Sequence, residues 1–179
     1  MPEEMDKNQK NYFAIIDECA REKKDLVIHN GDARHAAYLL ETFFRNAVSK
    51  ISIFSGKLFD GVFDNSVLNN ALENFLKKSG TRVDIICQEQ LTSEDFKKSV
   101  FLRTLAKFKK KVWLGDASKL DIGKLNHFSI MDDTAFRYEF DHENKRAVAN
   151  FGRPDVARDL EEVFFSLKKV SEELAFPSH

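Results

Sequence analysis

The sequence predicts an α/β fold, a single domain in which a mixed, mainly parallel β-sheet is flanked by helices. Short apolar runs alternate with amphipathic helical runs from residue 26 to residue 114, which is typical of parallel strands covered by helices. Three short runs with period-two alternation follow between residues 124 and 154, and they indicate a meander. A last run after Pro154 repeats apolar residues at spacings of three and four and predicts a closing helix.

The first third of the chain predicts helix, strand, helix and strand in that order. Asn30-Gly31 is a turn, and Asp32 caps the helix that follows it. The loop at residues 56–65 contains Asp60-Gly61 and several large apolar residues, so we expect it to pack against the domain. The helices are predicted at residues 8–21 and 32–48, the strands at residues 26–29 and 51–54, and the packed loop residues are Leu58, Phe59, Val62 and Phe63.

The rest of the chain continues this alternation and then changes to the meander. Asn65 or Ser66 caps one helix, and Thr92 with Asp95 opens another in the manner of a capping box. Pro154 lies in the first turn of the closing helix, where proline is tolerated best. Strands are predicted at residues 82–87, 111–114, 125–131, 135–140 and 146–151, and helices at residues 66–78, 92–108 and 154–174.

Length and composition limit the classes of protein to consider. The 179 residues suit one domain, which we divide into a helical extension at residues 1–25 and the α/β domain at residues 26–179. The net charge of -1 gives no overall attraction to nucleic acid or membrane, so such binding needs a local patch. No run approaches the roughly 20 apolar residues of a membrane span. A polar, acidic start and two widely spaced cysteines, Cys19 and Cys87, predict a cytoplasmic protein with both thiols in the core.

Two polar residues of the meander, His127 and Asn150, take positions that strands normally give to packing residues. The arrangement resembles the second half of the phospholipase D superfamily motif. In that motif a histidine is followed two residues later by lysine and then by aspartate, and a second strand carries Gly-Ser-x-Asn. Here Ser129 takes the place of the lysine, Val148 that of the serine and Thr134 that of the aspartate. The resemblance is therefore to a degenerate form of the motif.

The resemblance implies a role for each residue at a motif position. In the superfamily the histidine forms a phosphohistidine, a second histidine protonates the leaving group, and chains with one motif pair as homodimers. It implies His127 as the nucleophile, Asn150 as a phosphate ligand, a homodimer, and neither metal nor cofactor. Because Ser129 lacks the ammonium charge that stabilises phosphate oxygens, we expect hydrolysis to be lost, with Ser129 left as a ligand-binding hydroxyl. The structural alternative is a half-buried histidine bonded to a carbonyl and an asparagine that satisfies the turn before Gly152.

Two further segments are candidates for anion binding. Residues 97–111 are strongly basic and suit phosphate contacts, although a solvated helix face is the alternative. The helix N-terminus at residues 30–35 offers backbone amides together with Arg34. Trp113 either stacks on a base or belongs to the core. The ligand-binding residues predicted in the basic segment are Lys107, Lys109, Lys110 and Lys111.

These observations favour a non-catalytic, homodimeric binding or scaffolding module that keeps a phosphate or nucleic-acid pocket. Two alternatives stay open. One is an atypical phosphodiesterase or nuclease that uses His127, and the other is a protein-protein interaction module whose N-terminal helix forms the partner surface. The sequence contains no phosphate-loop, dinucleotide-binding, zinc-protease or serine-hydrolase signature, so other common enzyme classes are not indicated.

Overall fold

A computed structural model of the chain describes residues 7–58, 61–121, 125–141, 143–144 and 146–177. The predicted packing of Phe59, the Asp60 half of the predicted turn and the first six residues of the predicted extension lie outside these ranges, as does residue 124 of the meander. The described residues form six α-helices: α1 (Lys7–Glu22), α2 (Ala33–Asn46), α3 (Ser66–Lys77), α4 (Ser93–Lys98), α5 (Val100–Lys107) and α6 (Pro154–Val170).

All eight strands of the described residues belong to one sheet, whose spatial order is β1-β7-β6-β5-β2-β3-β4-β8. A single turn of 3₁₀ helix, Lys109–Lys111, leads into the fourth strand. The strands are β1 (Ile28–Asn30), β2 (Lys50–Ser55), β3 (Arg82–Cys87), β4 (Val112–Asp116), β5 (His127–Met131), β6 (Ala135–Asp141), β7 (Arg146–Asn150) and β8 (Glu172–Glu173).

The α/β class and the single mixed sheet are confirmed, but the prediction of a mainly parallel sheet is wrong. Among the described strands, β2 pairs with β3 and β3 with β4 in parallel, as predicted for those three. The pairs β1–β7, β2–β5, β4–β8, β5–β6 and β6–β7 are all antiparallel. Connection length explains part of this difference. Helical crossovers join β2, β3 and β4, whereas only a few residues separate β5 from β6 and β6 from β7, and connections that short permit only antiparallel pairing. The antiparallel pairs β1–β7, β2–β5 and β4–β8 join segments that are distant in the sequence, so connection length does not decide their direction.

The two faces of the sheet are covered unequally. Ile51 and Ile53 of β2 face a large core built with α1, α2, α3 and α5, whereas Phe54 faces a smaller core under α6. Phe13 and Ile16 of α1 belong to the large core. The apolar side of the N-terminal helix is therefore used within the domain. No helix among the described residues is long and apolar enough to cross a bilayer.

The predicted helix starts are confirmed at atomic level. Asp32 accepts from the amide of His35, Asn65 from the amides of Val67 and Leu68, and Thr92 with Asp95 forms a complete capping box. These contacts satisfy amides that the first helical turn leaves unpaired.

Three predicted boundaries are wrong. The helix predicted at residues 92–108 is two helices, because Ser99 is extended and caps α5 by accepting from the amide of Leu102. The closing helix ends at Val170 rather than residue 174, because Glu172–Glu173 pairs with the edge strand β4. The first strand is Ile28–Asn30 rather than residues 26–29, since it pairs with β7 at that register.

Candidate functional site

His127 begins β5 and lines a pocket that Ser129 also lines. Its Nδ1 lies 3.4 Å from Oε1 of Glu139, and its Nε2 lies 3.1 Å from Oε1 of Gln88. The ring packs edge-on against Phe54 and lies close to Gly56, where an added Cβ would lie 2.8 Å from the imidazole carbon Cε1. Both ring nitrogens are therefore engaged, and Gly56 is needed for the ring to lie where it does.

The strand next to His127 supplies a charged pair. Ser129 pairs directly with Arg137 across β5 and β6, and His127 pairs with Glu139. Nη2 of Arg137 donates to Oε2 of Glu139 at 2.7 Å, and Nε donates to Oδ1 of Asn30 at 2.8 Å. Arg137 and Glu139 are each only 5% exposed, so each needs the other as a charge partner.

These residues line a pocket of about 240 Å³ at the end of the sheet where β2 finishes. The walls are apolar on the side of α2 and of the loop after β2. Ser129 and Arg137 lie on its sides together with Glu139, and Lys57 and Glu89, 3.5 Å apart, stand at an exposed edge. The apolar lining residues include Ala36, Leu40, Ile53, Val62 and Phe63.

Asn150 is not brought to this pocket. The row of cross-strand partners that contains His127 and Glu139 continues to Ala147 of β7, whereas Asn150 is three residues further on and pairs with Phe136. An odd number of residues along a strand reverses the face, so Asn150 lies on the opposite side of the sheet, about 10 Å further along β7. Its amide donates to Asp25 at 2.8 Å and accepts from the amide of Gly152 at 2.8 Å, which matches the structural interpretation of this residue.

The lysines lie at the opposite end of the sheet from the pocket. Lys109–Lys111 precedes β4, beside the start of the parallel strands, whereas His127 lies beside the end of β2, a separation of at least about 17 Å for a strand of this length. Lys111 donates to the carbonyl groups of Leu76 and Lys78 and so closes the end of α3. Lys107, Lys109 and Lys110 are exposed and make no hydrogen bond or ion pair in the part of the chain described.

The helix N-terminus predicted as an anion site already contains an anion. The carboxylate of Asp32 accepts from the amide of His35 at 2.7 Å and occupies the position where a bound anion would sit. Arg34 is exposed and donates to Gln9 of α1 at 3.1 Å. Trp113 is covered by the ammonium group of Lys168, 4.3 Å from the ring centroid, and it lies close to Gly115 and packs against the core under α6. Its ring is therefore packed within the domain.

Burial also decides the chemistry of the cysteine nearest the pocket. Burial raises the pKa of the Cys87 thiol to about 12, and its Sγ donates to the carbonyl of Gly56 at 3.3 Å. Cys87 and Cys19 are both buried, as predicted. A thiol that stays protonated is a poor nucleophile and a poor metal ligand. Among the described residues, no group of three His, Cys, Asp or Glu side chains is arranged to hold a metal ion.

The sequence argument missed Arg137, Glu139 and Gln88. The strand hydrogen-bonded to the histidine strand is β6, and its polar residues two positions apart are Arg137 and Glu139. The signal that points to them is the alternation of β6, in which both charged residues share one face while Phe136, Tyr138 and Phe140 take the other. Gln88 lies in the loop after β3, and no pattern in the sequence distinguishes it.

The sheet order and the helices on both faces define a phospholipase D-like fold. TrmBL2, an archaeal chromatin protein with a novel mode of DNA binding, superposes with a TM-score of 0.62 and 14% identity, over 93% of this chain and 62% of that one. Nuc, a phospholipase D family member from Salmonella typhimurium, gives a TM-score of 0.60 and 16% identity over 84% of this chain and 97% of that one. NucT from Helicobacter pylori gives a TM-score of 0.58 and 13% identity over 84% of this chain and 100% of that one.

These similarities establish the fold alone. No family model matches the sequence, and no curated protein sequence matches it. The chain spans less than two thirds of the archaeal chromatin protein, 62% of its length.

Proposed function

We propose that the protein is a non-catalytic, phospholipase D-like module that binds nucleic acid through its phosphate backbone. The observation that carries the loss of hydrolysis is Glu139. A buried carboxylate lies 3.4 Å from Nδ1 of His127, whereas phosphoryl transfer needs positive charge around the phosphate oxygens. Among the described residues that line the pocket, Arg137 supplies the guanidinium group, and the same carboxylate neutralises it.

The motif residues give the same indication. Ser129 supplies a hydroxyl where the superfamily has an ammonium group, and Asn150 contacts Asp25 on the other face of the sheet. Nε2 of His127, the nitrogen left for attack once Nδ1 is directed at Glu139, meets the side-chain amide of Gln88. A nucleophile held in this way, without a preorganised cation, is expected to lose at least about 10²–10³ in rate for each missing donor.

The nucleic-acid surface that we propose consists of the exposed lysines Lys107, Lys109 and Lys110. They project from the end of α5 and the 3₁₀ turn, and the neighbouring Lys78 at the end of α3 adds a further exposed charge. Lysines whose charge is not used within the protein suit contacts with phosphate groups without regard to sequence. The likeness in fold to an archaeal chromatin protein with a DNA-binding mode supports this choice of ligand.

Reversing the charge of Lys107, Lys109 and Lys110 with glutamate is expected to weaken binding of labelled single- and double-stranded DNA about tenfold or more at low salt. The slope of log affinity against log salt concentration should also fall by about three for duplex DNA, since each phosphate contact contributes about 0.9. Fluorescence anisotropy with full-length protein measures both quantities. In the matched control, Lys57, Lys119 and Lys169 are changed to glutamate. The net charge then changes by the same amount as in the first variant, but at other places on the protein. If both variants bind DNA equally well, the three lysines form a solvated surface and not the DNA-binding site.

An atypical phosphodiesterase is the second candidate, and one contact favours it. Glu139 near Nδ1 of His127 fixes the ring and leaves Nε2 directed away from the carboxylate, as carboxylate-histidine pairs do in catalytic sites. We expect wild type and His127→Ala to be indistinguishable in hydrolysis of bis(p-nitrophenyl) phosphate, plasmid DNA and single-stranded DNA. If the wild type hydrolyses any of these substrates and His127→Ala does not, the atypical phosphodiesterase becomes the preferred function.

The homodimer belongs to the same proposal. Large apolar side chains are exposed on the α6 side of the sheet, where Phe165 is 55% exposed, Val170 59% and Phe140 44%. Stable protein interfaces bury about 1,200–2,000 Å² in total and are apolar at their centre. Light scattering of the purified chain at micromolar concentration should give twice the mass of 20.7 kDa, and Phe165→Ser should lower it. A monomer mass for the wild type at that concentration excludes the dimer.

A further inference from the structure

The last described segment of the chain, residues 171–177, covers the edge of the sheet at β4, and we call it the strap. It begins where α6 ends, at Ser171, whose backbone is extended. Its first strand residues, those of β8, pair antiparallel with the end of β4, and the amide of Leu174 donates to the carbonyl of Leu114 at 2.8 Å. The strap therefore takes the position that a further strand of the sheet would take.

Two apolar side chains of the strap, those of Leu174 and Phe176, pack against the large core. They are two residues apart and share one face of an extended segment, whereas Ala175 between them is exposed. The ring of Phe176 meets that of Phe96 in α4 edge-on, with centroids 5.9 Å apart and an interplanar angle of 84°. The edge of β4 and Phe96 thus form a groove that accepts an extended segment with apolar side chains at alternate positions.

The strap is held weakly for a segment that closes an apolar groove. Both residues of β8 are exposed, and the ion pair of Glu172 with Lys119, at 3.1 Å, joins side chains that are 66% and 77% exposed. Exposed ion pairs contribute little to stability. Leu174 and Phe176 are only partly buried, and none of the residues of α4 is buried. Segments with so few buried contacts open locally at low cost in free energy, so the groove becomes accessible without unfolding of the domain.

We propose that the groove along β4 is a docking site for an extended segment of a partner protein, and that the strap occupies the groove until such a segment displaces it. The strap itself shows the chemistry that fits: two apolar side chains at alternate positions, preceded by acidic side chains, of which Glu172 meets Lys119. Addition of a strand gains affinity from main-chain hydrogen bonds and specificity from the alternate side chains. The proposal depends neither on the nucleic-acid surface nor on chemistry at His127.

The test uses a fluorescein-labelled peptide with the sequence of residues 170–177, VSEELAFP, whose binding to the full chain is followed by fluorescence anisotropy. In the wild type the attached strap competes at an effective concentration on the order of millimolar, so the peptide should bind poorly. Leu174→Ser and Phe176→Ser each weaken the attached strap and should lower the dissociation constant of the peptide at least about tenfold. Ala175→Ser is the matched control, because it changes an exposed side chain of the same strap, and it should bind the peptide as the wild type does.

Two further measurements locate the binding. A peptide with serine in place of both apolar residues should not bind Phe176→Ser. The unlabelled original peptide should shift the NMR amide signals of Leu114 and Gly115 in ¹⁵N-labelled Phe176→Ser, while that of Ser129 stays in place. Equal peptide affinity in the wild type and both weakened variants, no binding by any of them, or shifts confined to other strands would overturn the proposal.

A second copy of the chain is the alternative occupant, and the same variants distinguish it. If straps are exchanged between two copies, light scattering should give a dimer for the wild type and a monomer for Phe176→Ser, and this result would overturn docking of a separate partner. A mass that Phe176→Ser leaves unchanged, together with the expected peptide binding, supports it. Phe165→Ser, which tests the proposed homodimer surface on α6, should leave peptide binding unchanged, so the two proposals fail independently.

Discussion

Replacing Arg137 with methionine should lower the free energy of unfolding by about 3–5 kcal/mol, the cost of leaving one member of a buried ion pair without its partner. Glu139 would remain 5% exposed without the guanidinium group that now lies 2.7 Å away. Asn30, whose Oδ1 accepts from Nε of Arg137, would lose that donor as well. Urea denaturation near neutral pH, followed by circular dichroism, measures the loss.

Two further variants separate charge from packing. Arg34→Met removes an exposed arginine that donates a hydrogen bond to Gln9. This change should alter the free energy of unfolding by no more than about 0.5 kcal/mol. Arg137→Met with Glu139→Leu removes both charges, and should recover most of the loss, since apolar replacements of buried pairs are often neutral. If Arg137→Met alone proves as stable as wild type, Arg137 and Glu139 do not stabilise each other as a buried ion pair.

The parts of the fold that the sequence predicted are those determined locally. The capping box of Thr92 and Asp95 lies within four consecutive residues, and its two reciprocal hydrogen bonds form as expected. The three strands β2, β3 and β4 are joined by helical crossovers, which fix their parallel pairing once each strand is recognised. Features of this kind can be predicted because the residues that determine their geometry are close together in the sequence.

Pairing between distant segments could not be predicted in the same way. The strand Ile28–Asn30 has only three residues, and nothing in them indicates that β7, more than a hundred residues later, is its partner. The break at Ser99 depends on Asp64, whose carboxylate accepts from the Ser99 hydroxyl at 2.8 Å. Each of these features is decided by a residue far away in the sequence.

The candidate site shows the same division. The spacing of His127 and Ser129 placed both on one face of β5, and both line the pocket. The predicted meander placed β6 between β5 and β7, but it gave no register, because spacing along the chain does not show which residues of neighbouring strands face each other. Asn150 was therefore matched to His127, whereas the residues that face His127 and Ser129 are Glu139 and Arg137.

Replacing Asp132 is also expected to lower the free energy of unfolding strongly, because its carboxylate connects two segments that are distant in the sequence. Its Oδ1 accepts from the amides of Ser49 and Lys50 and from the hydroxyl of Ser49, and its Oδ2 accepts from the amide of Val48, all between 2.7 and 2.9 Å. The turn between β5 and β6 is thereby fixed to the entrance of β2. No pattern in the sequence indicates this contact, because the two segments lie about 80 residues apart.

Asp132→Ala should reduce the free energy of unfolding by about 2–4 kcal/mol, measured by urea denaturation. Two causes contribute. Hydrogen bonds to a charged acceptor are among the stronger ones, and the amides of residues 48–50 would have to find water instead. Asp132 also has a φ of 47°, a left-handed conformation that aspartate and asparagine tolerate better than alanine does.

Glycine and asparagine at this position separate the two causes. Asp132→Gly removes the carboxylate but adopts positive φ freely, so its deficit should be smaller than that of Asp132→Ala by about 1 kcal/mol. Asp132→Asn keeps one acceptor oxygen and should lie between glycine and wild type. Asp133→Ala is the neighbouring control, because Asp133 is exposed, and it should change stability by no more than about 0.5 kcal/mol. Equal deficits in Asp132→Ala and Asp133→Ala would mean that the loss of charge in the turn, rather than the contact with residues 48–50, determines stability.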